Sequence, residues 1–152
     1  MANLDVSRDV SAPADAVWKI MTDLENSMDT ISAIQSVEIL SEAQAFDVGT
    51  KWRETRTMFG RKATEVMWVT EVDPGTSYVV AAESHGSSYT TIMTVIATGE
   101  NSSRISMNFG AEPTGTMAKV MGATVGKLFE SATKKAIAQD LDDIAAAAET
   151  RT

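Results

Sequence analysis

The sequence predicts an α+β fold: a curved antiparallel sheet of six to seven strands, a long C-terminal helix lying across it, and one or two short helices after the first strand. Three observations carry this. Residues 49–113 read as strands of roughly ten residues separated by turn signals. From Met117 to Ala148 the apolar period changes to one near 3.6. Residues 4–24 place one alternating segment before one helical segment.

Taken in order, LDVSRDVS (residues 4–11) alternates Leu4, Val6 and Val10 against Asp5, Ser7 and Asp9, the pattern of a strand with one buried face. Arg8 is the exception on the apolar face. A first helix over about 13 to 24 follows, with Pro13 at its start, Asp15 in its first turn, and Val17, Ile20, Met21 and Leu24 at helical spacing. Residues 23–30 are polar and have room for one more short helical turn, and SVEILSE (36–42) reads as a second strand. The meander then turns at Phe59-Gly60-Arg61, Asp73-Pro74-Gly75, His85-Gly86-Ser87 and Gly99-Glu100-Asn101, all rich in the residues tight turns need. The final stripe of Met117, Met121, Val125, Leu128, Ala132, Ile137, Leu141, Ile144 and Ala148 defines one helix of about 115 to 148. Gly122 and Gly126 inside it cost about 1 kcal/mol each against alanine and read as packing or bending positions, or as places where a loop or ligand approaches closely.

The 152 residues fit a single domain, 1–152, with a sizeable core. A formal charge of −8 without a basic stripe repels phosphate backbones and acidic lipid surfaces, so neither nucleic acid nor stable membrane insertion is expected. The absence of cysteine excludes disulfides and thiolate chemistry, and one histidine, His85, leaves little room for a histidine metal site or a Ser-His-Asp triad; no metal and no cofactor are expected. The opening decapeptide contains Asp5, Arg8 and Asp9 and lacks a signal-peptide core, which gives a cytoplasmic expectation. The oligomeric expectation is a monomer or homodimer.

A sheet of about seven strands twists and curls. One helix about 10 Å wide leaves part of its concave face uncovered. Side chains or a ligand cavity must fill the rest. Alternation assigns Trp52, Glu54, Arg56 and Met58 to the inner face of the third strand, Tyr89, Thr91, Met93 and Val95 to that of the sixth, and Ile105, Met107, Phe109 and Ala111 to that of the seventh. Both faces of the 61–72 strand mix apolar with polar residues, so its inner face stays open. Methionines at 58, 93, 107, 117 and 121 suit either an adaptable pocket or gap-filling in an ordinary core.

VSRDVSAPADAVWKIMTDLENS, GTKWRETRTMFGRKATEVMWVTEVDPGTSY and SSRISMNFGAEP, with this order of elements, resemble the START-like, helix-grip superfamily known as SRPBCC, which includes polyketide cyclase/dehydrase-like and lipid-transport-like proteins. The resemblance covers nearly the whole chain. It implies an apolar cavity between sheet and C-terminal helix, and a small hydrophobic molecule as partner.

The leading expectation is therefore binding of a small, largely apolar ligand such as a lipid or polyketide; the alternative is a cyclase, aromatase or dehydratase using cavity acid, base and arginine residues. The cavity-lining candidates are Trp52, Glu54, Arg56, Met58, Tyr89, Thr91, Met93, Met107, Phe109, Met117, Met121 and Val125. Glu54 and Arg56, two apart on one strand face, are expected to pair inside the cavity, with Arg56 receiving a ligand carboxylate or carbonyl oxygen. Glu65, Tyr78 and His85 are the remaining acid–base candidates; His85 reads as a turn residue and Tyr78 as edge packing with its hydroxyl in water. A third class, a heteromeric regulator or toxin–antitoxin-like partner, would show an exposed apolar patch around Phe46 and Phe59.

Overall fold

The computed structural model describes the backbone of residues 2–42, 45–58, 60–84, 86–113 and 116–151, and the side chains of all these except 2, 58, 84, 113, 116–129 and 151. Seven strands form one antiparallel sheet: β1 (Ala2–Val10), β2 (Ile34–Ile39), β3 (Lys51–Met58), β4 (Arg61–Asp73), β5 (Ser77–Ser84), β6 (Ser87–Gly99) and β7 (Ser102–Pro113). Their spatial order is β1-β7-β6-β5-β4-β3-β2, so a meander from β2 to β7 is closed on one side by the first strand. Two short helices, α1 (Ala14–Met21) and α2 (Ser27–Thr30), follow β1, and one helix, α3 (Thr116–Arg151), ends the chain. The sequence anticipates every element, with ends differing by a few residues; the helix expected over 13–24 stops at Met21, because Thr22 closes α1 by bonding back to Trp18 O.

Turn chemistry fixes the meander. Gly60 and Gly75 have φ of 77° and 79°, the left-handed region that a side chain disfavours. Irregular pairing between Ile34 and Ser36, Val69 and Glu71, and Ala97 and Gly99 inserts bulges that bend the strands. The bulge in β4 also changes its inner face part-way along the strand. Val69 pairs with Val80 and is buried, but beyond the bulge Val72 pairs with Tyr78 and packs on the core. One extra residue therefore moves the inner face from odd to even positions.

The packed core lies where α3 and α1 cover β1 and β7. Leu4, Val17, Ile105 and Leu141 are almost wholly shielded there, with Ala145 and Ala148 letting the backbones come close. At about 1.5 Å per residue the 36-residue α3 is roughly 54 Å long, and it runs as one helix through Gly122 and Gly126. Arg8, the anomaly on β1's apolar face, pairs with Asp142 at 2.8 Å and Glu149 at 3.7 Å. Glu149 accepts from Ser11 N and Asp143 from Ser32 N and Oγ, so polar contacts fasten the C-terminal half of α3 along both flanks.

Candidate functional site

Away from that core the sheet curves off the helix and leaves a cavity of about 480 Å³. Its walls are the inner faces of β3 to β7, residues 20–34 of the α1–α2 region, and α3 from Thr133 to Ile144. The volume falls within the roughly 300 to 1,000 Å³ usual for small-molecule sites. Trp52, Met67, Val80, Met93, Met107, Phe109 and Ile137 supply apolar surface. Tyr89 and Phe109 stack at 5.7 Å between centroids, as positions on neighbouring strands permit.

Of the twelve candidate lining residues, Trp52, Glu54, Arg56, Tyr89, Thr91, Met93, Met107 and Phe109 stand in this wall. The side chains of Met58, Met117, Met121 and Val125 lie outside the described residues, as do His85 and Phe59. Pairing with Arg56, Glu54 and Trp52 of β3 places Ala63, Glu65 and Met67 inward, which fixes the face of β4 that the sequence left open. One expectation needs correction. Tyr78 is buried and donates its hydroxyl to Met21 O at 3.2 Å rather than facing water. Phe46 packs edge-on against Tyr78 at 4.8 Å and near Trp52.

The polar feature of the cavity is a chain of charges. Arg56 Nε donates to Glu54 Oε2 at 2.9 Å, and its Nη1 donates to Asp140 Oδ2 on α3 at 3.0 Å. Trp52 Nε1 donates, at a long 3.4 Å, to the other Glu54 oxygen. Glu54 and Asp140 are 6% and 5% exposed, so this is a buried ion cluster rather than surface decoration. Glu65 sits directly across from Glu54 on β4, adding a further carboxylate to the same face. Sequence spacing identifies the Glu54–Arg56 pair; Asp140 escapes it. Asp140 precedes Leu141 in a helix whose stripe can be drawn without it, and the contact joins residues 84 apart.

Burial pushes the Asp140 carboxyl above its ordinary value of 3.8; Arg56 opposes the shift, while Glu54 and Asp143 reinforce it. Burial alone would lower the Arg56 guanidinium, yet Asp140 and then Glu54 hold it above its usual value. Burial raises the Tyr78 hydroxyl, with Glu54 adding to it, and the hydroxyl stays neutral. Burial likewise raises Tyr89, reinforced by Glu65 and opposed by a bond to Ser87. Because the folded protein holds the Asp140 proton more tightly than the unfolded chain, the Asp140 contribution to stability is present at low pH. It is lost as pH rises from about 3.8 through the higher folded value. Asp140→Asn is thus expected to gain on the parent protein as pH rises. Urea midpoints at about pH 4 and about pH 7 check this, and a difference that stays flat or moves the other way removes the account.

The family model described as "Polyketide cyclase / dehydrase and lipid transport" matches residues 1–149. No curated protein matches the chain significantly. Among solved structures, the protein TTHA0849 from Thermus thermophilus superposes with a TM-score of 0.82 at 16% identity, covering 99% of both chains. The Zhui aromatase/cyclase from Streptomyces sp. R1128 gives 0.79 at 18%, over 99% of this chain and 94% of its own. A START superfamily protein from Mycobacterium smegmatis gives 0.70 at 16%, over 98% and 95%. At such identities these likenesses establish a shared fold, the helix-grip arrangement of curved sheet and C-terminal helix. Among the described residues no helix is long and apolar enough to cross a membrane.

Proposed function

Because this chain belongs to the polyketide cyclase / dehydrase and lipid transport family, we propose that it is a one-domain binding protein that holds a small, largely apolar molecule in the cavity between sheet and α3. The observation that carries this reading is the cavity of about 480 Å³, with apolar and aromatic walls and one buried polar cluster to orient the occupant. Trp52, Met93, Met107 and Phe109 contact the apolar body of the ligand, while the Glu54–Arg56–Asp140 cluster fixes its polar group. The methionines at 67, 93 and 107 let the wall adjust to irregular shapes.

Ala136→Trp tests the reading, because this half-buried α3 residue lines the cavity and an indole there takes up ligand space. The helix propensity cost is below about 1 kcal/mol. Binding of the fluorescent apolar dye N-phenylnaphthylamine should weaken at least about tenfold, a change of about 1.4 kcal/mol. Undiminished dye binding in a folded variant would place the dye elsewhere and sink the proposal.

A second reading, a dehydratase- or cyclase-type enzyme, draws on Asp140 alone. A buried carboxyl held towards its neutral form beside a guanidinium is equipped to give a proton to a departing hydroxyl. On this reading Asp140→Asn abolishes turnover while leaving dye affinity intact.

A further inference from the structure

Of the described arginine side chains, Arg8, Arg53, Arg56 and Arg104 each pair with a carboxylate of the protein. Arg61 is the exception: among the described residues neither it nor its neighbour Lys62 has an ion-pair partner. The chain carries 21 acidic against 13 basic residues, so these cations do not lack partners for want of carboxylates. Both border the cavity. They stand at the hairpin end of β3 and β4, and Arg61 has the inward parity of Ala63, Glu65 and Met67.

Along the inner face of this hairpin the side chains are sorted by charge. Arg61 comes first, then Ala63 opposite Arg56, then Glu65 opposite Glu54, then Met67 opposite Trp52. Arg56, Arg61 and Lys62 offset Glu54, Glu65 and Asp140, so the cavity as a whole is neutral. The signs are nonetheless separated. Arg56 is held among the carboxylates, with Nε on Glu54 and Nη1 on Asp140, whereas the two cations without partners lie at the hairpin end. Only the methyl group of Ala63 projects between the Arg61 and Glu65 levels. From Arg61 to Met67 is six residues, about 20 Å of strand, so a chain molecule anchored at the hairpin extends inward to the apolar wall.

We propose that the cavity takes an amphiphile ending in an oxyanion, a carboxylate or a phosphate monoester, with that end on Arg61 and Lys62 and the apolar body running inward over Trp52 and Met67. The proposal rests on the ligand-binding reading above and adds to it the end group and the direction of the ligand. The guanidinium offers a fork of donors that matches two oxygens of such a group, and the ammonium beside it adds a point charge. The anion is assigned to Arg61 rather than to Arg56, because Arg56 already serves two carboxylates.

Displacement of bound N-phenylnaphthylamine by decanoate, decyl phosphate and decanol, at neutral pH and about 0.1 M salt, tests this. The Arg61→Gln/Lys62→Gln double variant should bind at least one of the two oxyanions at least about fivefold more weakly than the parent, with decanol within about twofold. A loss confined to decanoate or to decyl phosphate identifies that end group as the one recognised. Lys134→Gln/Lys135→Gln removes the same charge from exposed positions of α3 outside the cavity wall and should leave all three ligands within about twofold. All four substituted residues are exposed, so both variants should keep the parent's urea midpoint. A loss of less than about fivefold for both oxyanions, an equal loss for decanol, or an equal loss in the Lys134/Lys135 variant overturns the anion site while leaving the cavity reading intact. Failure of the dye to bind, or dye binding indifferent to Ala136→Trp, overturns both.

Discussion

Replacing Arg56 by alanine is expected to lower folding stability by about 3–5 kcal/mol at neutral pH, enough to consume a large part of the stability of a domain this size. The mechanism is desolvation without compensation: Glu54 and Asp140 stay buried near one another with no cation between them. Without Arg56 to oppose it, burial favours the protonated form of Asp140 still more, so the loss should shrink as pH falls and grow as pH rises. Adding Glu54→Gln and Asp140→Asn to Arg56→Ala removes the stranded charges and should recover more than half of the loss, a non-additivity expected only of a coupled cluster. Urea unfolding across pH measures all three proteins. A loss below about 1 kcal/mol, the range of an exposed pair, would return these residues to the surface. So would a loss independent of pH.

Leu141→Ala should cost about 2–5 kcal/mol, towards the upper part of that range, because Leu141 is 0% exposed where α3 meets the sheet. The residue sits on a long helix pinned on both sides by Arg8 and Ser32, so the surroundings have little freedom to collapse into the space. One residue further on, Asp142 is exposed and pairs with Arg8; Asp142→Ala should cost no more than about 1 kcal/mol. Denaturant midpoints of the two variants, compared at equal m-value, separate a buried from a solvated helix face. Equal losses would mean that α3 does not lie on the sheet with this rotation.

The sequence by itself determined the elements and most of their faces. Ile105, Met107 and Phe109 alternate because side chains on a strand point to opposite sides, and Ile137, Leu141, Ile144 and Ala148 recur because a helix returns to the same face every three or four residues. These periods come from local covalent geometry, so they are legible without knowing what they pack against. Glu54 and Arg56 were legible for the same reason. The remainder was decided only by tertiary structure. A bulge after Val69 reverses the alternation of β4, and nothing in a mixed run of apolar and polar residues marks where one strand will carry an extra residue relative to its partner. Arg8 looked misplaced until Asp142 and Glu149 arrived from the far end of the chain. The Tyr78 hydroxyl looked water-facing until Met21 of α1 and the ring of Phe46 closed over it. Asp140 joined the buried cluster because the curvature of the sheet sets which turn of α3 stands opposite β3, and curvature is a sum over all seven strands. A contact fixed by that sum leaves no periodic trace near either residue, whereas the strand and helix that supply its two halves are written in their own neighbourhoods.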